Sequence, residues 1–137
     1  MSLALKITTF EEFEQHLPKI EQFLLLHTND MNLILFSLLE AINNAFEHGM
    51  NQSNGIVIKV NIFLDKKHLV VTISHNGVGF DYEEKLLAVT DPDQYFLNHL
   101  TSLRGRGIAI MKRCADKLTY SDKGRKVTLF FNLGEMS

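Results

Sequence analysis

The sequence lacks the features of a secreted or membrane-embedded protein. Cys114 is its single cysteine, so neither a disulfide framework nor a set of thiolate metal ligands can form within the chain. No apolar run approaches the roughly 20 residues of a membrane-spanning helix. The first residues also lack the basic and then apolar segments of a signal peptide. We therefore expect a cytoplasmic protein without a membrane contact, folded as one domain over residues 1–137.

The chain also has little net charge, but its charged residues are unevenly distributed. The formal net charge is −2, whereas the segment from Arg104 to Lys126 holds eight basic and two acidic residues. Such a segment can indicate nucleic-acid binding. Here the segment is short, contains glycines and has Tyr120 as its single aromatic residue, and the phosphate groups of a small ligand explain it at least as well. We expect no direct nucleic-acid contact.

Hydrophobic periodicity predicts both helices and strands. The predicted elements, in chain order, are a strand at 4–8, a helix at 9–26 interrupted or kinked at Pro18, a helix at 31–49, strands at 56–64 and 69–74, a helix at 108–115, and strands at 117–121 and 126–133. Helices and strands do not alternate strictly, which argues against a doubly wound parallel sheet. We predict an α+β fold, a two-layer sandwich in which a mixed, mostly antiparallel sheet is covered on one face by helices.

Three polar residues lie within the otherwise apolar helix at 31–49. Glu40, Asn44 and His48 recur at every fourth position, so an α-helix places them along one stripe of its surface. The stripe has two interpretations. It can be the solvated face of an amphipathic helix, or it can be a Mg²⁺–phosphate site, because carboxylate and carboxamide oxygens are donors that this ion prefers.

Two glycine pairs follow this stripe in the sequence. Gly77 and Gly79 come directly after a predicted strand, where glycine permits a positive φ and the close approach of a ligand to the backbone. The second pair precedes the helix at 108–115 and comprises, with its flanking arginines, Arg104, Gly105, Arg106 and Gly107. The free N–H groups and positive dipole end of that helix, beside the arginine charges, outline a phosphate site. Either pair alone can equally be a structural turn.

The ordered combination of these motifs resembles the GHKL ATPase family, whose domain is also called the Bergerat fold. The motifs are E-x-x-x-N-A-x-x-H-G on a helix, G-x-G-F-D after a strand, and a glycine turn that opens a helix. Within that family, the segment Leu103–Lys112 is similar to anti-sigma-factor serine/threonine kinases. The resemblance covers about Phe10 to Leu133. It implies the histidine-kinase-like ATPase fold and an ATP-dependent protein-serine/threonine kinase that uses Mg²⁺.

The resemblance also implies roles for individual residues. Glu40 corresponds to the glutamate that acts as general base toward the attacking hydroxyl or water, and Asn44 corresponds to the asparagine that binds Mg²⁺ on the triphosphate. His48 would lie near the sugar–phosphate side of the nucleotide. The other implied nucleotide contacts are Gly77 and Gly79 at the adenine pocket, and Arg104, Gly105, Arg106 and Gly107 at the phosphates. The stretch 91–104 would form a mobile lid.

Two positions differ from the family pattern, and both fall at the adenine end of the site. His75 stands where the family has an aspartate that accepts a hydrogen bond from the adenine amino group, and Arg125 stands where a threonine helps to bind the same edge. A neutral histidine can still accept a hydrogen bond through one ring nitrogen, and Thr128 lies nearby as a further nucleotide contact. Exchanging a charged acceptor for a neutral one costs about 1–3 kcal/mol of binding free energy.

The resemblance finally implies protein partners. These are a small antagonist protein that receives the phosphate on a serine, a sigma factor or similar regulator, and a second copy of the chain in a homodimer. The alternative function is a partner-switching pseudokinase, a binding module with weakened or lost ATP use. The catalytic half of a sensor histidine kinase would suit the fold, but no dimerisation helix with a phospho-acceptor histidine is recognisable in this sequence, and we favour it less.

Overall fold

The fold is known from a computed structural model, which describes residues 2–49, 56–77 and 106–133. Its helices and strands are, in chain order, β1 (Ser2–Ile7), α1 (Phe10–His27), α2 (Met31–Gly49), β2 (Ile58–Asp65), β3 (His68–His75), α3 (Arg106–Cys114), β4 (Lys117–Ser121) and β5 (Lys126–Asn132). A short 3₁₀ turn, Asp122–Gly124, joins β4 to β5. Each element predicted within these ranges is present, and its ends differ from the prediction by at most two residues.

The strands of the described ranges form one five-stranded sheet in the order β1–β2–β3–β5–β4. Every neighbouring pair is antiparallel. One row of buried side chains crosses the whole sheet, with one residue from each strand: Leu5, Val60, Ile73, Val127 and Tyr120. These residues join the same hydrophobic core as the buried faces of the helices. The predicted α+β sandwich is therefore confirmed.

Helix α1 runs without a break from Phe10 to His27. Its N-terminus is capped by Thr9, whose Oγ1 accepts a hydrogen bond from the Glu12 N–H at 3.2 Å. The predicted interruption at Pro18 is wrong, and the alternative of a kink there stays a prediction. Side chains on both sides of this exposed proline are buried in the core, and their burial stabilises the helix by more than the hydrogen bond that proline removes. These side chains are Phe13, Ile20 and Leu24.

Helix α2 contacts α1, α3 and the central strand β3. Its core-facing side chains are Ile34, Leu38, Ala41, Ile42 and Ala45. The buried Ser37 satisfies its hydroxyl locally, since Oγ donates to the Leu33 carbonyl at 3.1 Å. None of the described helices combines the length and the apolar character that a membrane span requires. The packing of α2 on β3 brings its polar stripe close to the ends of β3 and β4.

Candidate functional site

The candidate site is a small cleft between α2 and one end of the sheet. Four of its lining residues are polar: Asn44, His75, Tyr120 and Arg125. They come from α2, the end of β3, β4 and the turn before β5, so the cleft exists only when the helix lies on the sheet. The remaining walls are apolar or small, and they are Ala41, Ala45, Ile73, Gly124 and Val127. Ligand sites have a similar mixture of apolar walls and few polar groups, but they enclose about 300–1,000 Å³, whereas the part of this cleft formed by described residues has an empty volume of about 190 Å³.

Asn44 is tied to the sheet by its side chain. Its Nδ2 donates a hydrogen bond to the hydroxyl oxygen of Tyr120 at 3.1 Å. Its carbonyl oxygen, Oδ1, accepts no hydrogen bond from the described residues. Burial raises the pKa of the Tyr120 hydroxyl above its ordinary value, because water no longer stabilises the phenolate. The tyrosine is therefore a neutral acceptor for the asparagine amide.

Glu40 lies one helical turn before Asn44 on α2, and its side chain is half-buried. The spacing of four residues places both side chains on one side of the helix, as the sequence predicts. His48 belongs to the last turn of α2, but its side chain lies outside what the structure describes. The described part of the polar stripe therefore consists of a carboxylate followed by an amide with a defined hydrogen-bond partner.

His75 is buried at the end of β3, where it connects two loops of the site. Its ring Nδ1 accepts a hydrogen bond from the backbone N–H of Gly77 at 3.0 Å, and the backbone N–H of His75 donates to the backbone carbonyl of Arg125 at 2.9 Å. An acceptor nitrogen carries no proton, so the imidazole proton in the neutral ring is on Nε2. The acceptor position of Nδ1 is thus occupied by the glycine loop.

Arg125 follows three residues with positive φ, from Asp122 to Gly124. Its guanidinium is held within this turn, because Nη2 contacts the Asp122 carboxylate at 2.8 Å and Nε donates to the Asp122 carbonyl at 3.2 Å. Both side chains are substantially exposed to solvent, so the ion pair contributes little stability. Its effect is to place the arginine beside His75, where the family pattern has a threonine.

Thr128 is not brought to this cleft. It lies in β5 opposite Thr72 and Thr119, and its sequence neighbours Val127 and Leu129 are buried in the core under the helices. Successive side chains of a strand point to opposite faces of the sheet. Thr128 therefore lies on the face away from Asn44 and His75.

The predicted phosphate loops are described only in part. Helix α3 begins at Arg106, so Arg106 and Gly107 form its first turn, although their side chains lie outside the description. The helix therefore begins two residues earlier than predicted and includes Gly107, the second glycine of the pair. Three further predicted contacts, Gly79, Arg104 and Gly105, lie outside the described residues, as does the predicted lid at 91–104.

Tyr120 is a site residue that sequence reasoning did not find. Its position within β4 alternates with exposed residues, which indicates that its ring faces the core. A buried tyrosine hydroxyl usually finds a hydrogen-bond partner, and this rule is the signal that could have directed attention to it. The identity of that partner depends on how α2 lies on the sheet.

Comparison with known proteins agrees with this fold. Residues 13–131 match the family model described as the histidine kinase-like ATPase domain. Because the match covers most of the chain, the protein belongs to this family, which is the GHKL family of ATP-binding domains. No curated protein matches the chain significantly. The family model defines the class of domain and does not distinguish among the kinds of kinase or ATPase within it.

Proposed function

We propose that this protein is an anti-sigma-factor-like serine/threonine kinase. It binds ATP, transfers the γ-phosphate to a serine of a small antagonist protein, and binds a sigma factor or a similar regulator. The observation that carries the proposal is the cleft in which Asn44, from the glutamate–asparagine stripe of α2, meets His75 and Tyr120. Membership of an ATP-binding family supports the nucleotide, and the similarity of the segment Leu103–Lys112 to such kinases supports the reaction class.

Asn44 fits the role of a magnesium ligand. Mg²⁺ in nucleotide sites is typically held by one or two protein oxygens together with phosphates and water. Among the described residues, no three His, Cys, Asp or Glu side chains are grouped closely enough to hold a metal ion by themselves. A single amide oxygen beside a triphosphate matches this mode of binding. When bound, Mg²⁺ neutralises negative charge on the phosphates.

Glu40 is the proposed general base. The acceptor serine oxygen forms a bond to the γ-phosphorus while the bond from that phosphorus to the β,γ-bridging oxygen breaks, and ADP leaves. Glu40 takes the proton of the serine hydroxyl. The remaining work is positioning and charge stabilisation, for which the N-terminus of α3, with Arg106 and Gly107 in its first turn, provides backbone N–H groups.

The first experiment is a titration of the purified chain with Mg-ATP by isothermal calorimetry. The proposal predicts saturable binding with one site per chain. Absence of binding at millimolar ATP would rule out the kinase function.

A pull-down from the native cell, followed by incubation with Mg-ATP and mapping of phosphosites, then identifies the acceptor. A phosphoserine on a co-purified small protein is the expected result.

A second candidate function is a partner-switching pseudokinase that retains the fold and has weakened or lost ATP use. The specific observation in its favour is the adenine end of the cleft, where His75 Nδ1 is engaged by Gly77 and the Arg125 guanidinium by Asp122. Partner binding without phosphorylation, together with absent nucleotide binding, distinguishes it from the kinase. In both cases we propose a cytoplasmic homodimer, which light scattering after size exclusion tests.

A further inference from the structure

The face of the sheet opposite the helices, which we term the outer face, carries three rows of side chains that cross the strands. Strand register defines each row, because residues directly opposite each other project to the same side of an antiparallel sheet. The lysine row is Lys6, Lys59, Ser74, Lys126 and Ser121. The uncharged middle row is Ala4, Asn61, Thr72, Thr128 and Thr119. The apolar row has three apolar residues at its centre and is Ser2, Phe63, Val70, Phe130 and Lys117.

The apolar row is a hydrophobic patch separate from the main core. Val70 is only 2% exposed, although it lies outside the core cluster under the helices. Its neighbours in register, Phe63 and Phe130, are half-buried. The Nζ of Lys117 lies 5.4 Å from the centre of the Phe130 ring, within the range of a cation–π contact. The outer face therefore combines apolar surface with positive charge.

The lysine row concentrates positive charge that the chain itself does not neutralise. Lys6 and Lys59 are directly opposite each other, an arrangement of like charges that destabilises an antiparallel pair. Within the described residues, neither of them nor Lys126 forms an ion pair. In the described strands, the acidic residue that the register places on the outer face is Asp65, at the hairpin end of β2 beyond the apolar row. The lysine row therefore lacks a negative counterpart.

The lysine row also borders an open recess at the end of the sheet. Lys6, Lys59 and Ser74 line this recess, whose empty volume is about 700 Å³. The carboxylate of Asp122 belongs to the same lining, but it is already paired with the Arg125 guanidinium at 2.8 Å. His75 lines both the recess and the candidate cleft. A molecule that docks over the lysine row therefore lies beside the cleft.

We propose that the outer face docks a protein partner through an acidic surface of that partner. The lysine row pairs with the partner's carboxylates, and the apolar row supplies the hydrophobic contact that a protein interface needs. A second copy of the chain fits less well, because two identical outer faces repel each other. A nucleic acid also fits less well, since Phe63 and Phe130 are half-buried and do not project as platforms on which bases stack. This inference rests on the partner binding in the proposed function and not on phosphotransfer.

Cross-linking with a carbodiimide tests the contact directly, because this reagent joins a lysine amine to a touching carboxylate without a spacer. The complex is the one retained by this chain in a pull-down from the native cell, and mass spectrometry identifies the linked residues. We expect links from Lys6, Lys59 or Lys126 to Asp or Glu of another protein. Links to this chain's own carboxylates in a second copy overturn the inference, as do links confined to Lys19 and Lys66 outside the outer face. Failure to retain any protein, or its loss after nuclease treatment, also overturns it.

Charge removal then measures the contribution of the lysine row, with the identified partner purified. We expect the combined variant Lys6→Gln, Lys59→Gln and Lys126→Gln to raise the Kd for the partner roughly 3- to 150-fold, the range for three exposed ion pairs. The effect should shrink at high salt. The matching arginine variant keeps the charge and should retain the affinity. The control variant is Lys19→Gln, Lys66→Gln and Lys67→Gln, which removes as many exposed lysines from α1 and the β2–β3 turn. Equal weakening by both glutamine variants overturns the inference, since it indicates a response to net charge alone.

A reversal of charge sign tests the acidic character of the partner. Thr119 is exposed in β4 and belongs to the middle row of the outer face, so either substitution there leaves the core intact. We expect Thr119→Glu to weaken partner binding and Thr119→Lys to preserve or strengthen it. Equal weakening by both overturns the inference. Urea denaturation checks that each variant folds, and an exposed substitution should change the free energy of unfolding little.

The outcomes separate this inference from the proposed kinase. If the chain binds Mg-ATP and phosphorylates its partner while all outer-face variants bind that partner like the wild type, the inference fails and the kinase function stands. If the chain binds no ATP but the lysine-row variant loses its partner, the kinase function fails and the inference stands.

Discussion

Replacing His75 with aspartate should strengthen ATP binding, because it restores the acceptor that the family has at the adenine end. The local contact of His75 can survive this change. Its Nδ1 accepts from the N–H of Gly77, two residues further along, at 3.0 Å. An aspartate oxygen accepts from the same N–H in an Asx-turn. The second carboxylate oxygen then remains for the amino group of adenine.

The size of the gain follows from two opposing terms. A hydrogen bond to a charged acceptor contributes about 1.5–3 kcal/mol. Residue 75 is only 9% exposed, and removing a carboxylate from water opposes binding and folding. We therefore expect a net gain at or below the lower end of that range, about 1–1.5 kcal/mol, which corresponds to a Kd for ATP roughly 5- to 12-fold lower.

Calorimetry with two nucleotides provides the assay. Mg-ATP has an amino group at position 6 of the purine, whereas Mg-ITP has a carbonyl oxygen there, so the gain should be confined to ATP. His75→Asn is the matched control, because its single acceptor oxygen is uncharged and already accepts from the Gly77 N–H, whereas aspartate has a second, charged oxygen for adenine. Equal gains for both nucleotides, or a gain for asparagine as large as for aspartate, would refute the reasoning.

Three further substitutions test the site and the fold. Glu40→Ala should lower the rate of phosphotransfer by about 10²- to 10⁴-fold, as loss of a general base does, while ATP affinity stays nearly unchanged. The control is Glu47→Ala, on the exposed side of α2. An undiminished rate for Glu40→Ala would show that this residue is not the general base. Ile73→Ala removes a buried side chain from β3 and should lower the free energy of unfolding by about 2–5 kcal/mol in urea denaturation, whereas the exposed Lys59→Ala changes it little. Thr9→Ala removes the N-cap of α1 and should cost about 1 kcal/mol of stability by the same measurement, and a loss as large for Thr9→Ser would contradict the capping role.

The secondary structure and fold class could be predicted because they depend on local periodicity. In β2, Ile58, Val60 and Ile62 are buried and alternate with exposed residues, and this pattern is visible in the sequence. The interruption predicted at Pro18 was wrong because a local propensity was outweighed by tertiary contacts. Phe13 and Ile20, on either side of the proline, are anchored in the core.

The candidate site was predictable to the extent that its residues share one element. Glu40 and Asn44 belong together because a helix brings every fourth residue to the same side. Thr128 could be assigned to a face of the sheet relative to the cleft only from the tertiary structure. Alternation with the buried Val127 and Leu129 separates it from the core face, but only the packing of α2 on that core face identifies it as the face with the cleft.

The sequence by itself determined the helices and strands, the polar stripe and the two glycine pairs, because each depends on residues close together in the chain. It also carried the resemblance to GHKL ATPases, which the family match over residues 13–131 supports. The tertiary structure decided which polar atoms meet. The hydrogen bond between Asn44 and Tyr120 spans 76 residues and depends on the strand order and on α2 lying across the sheet, and no local pattern encodes such a contact. The same strand order and packing place Thr128 on the face of the sheet opposite the cleft.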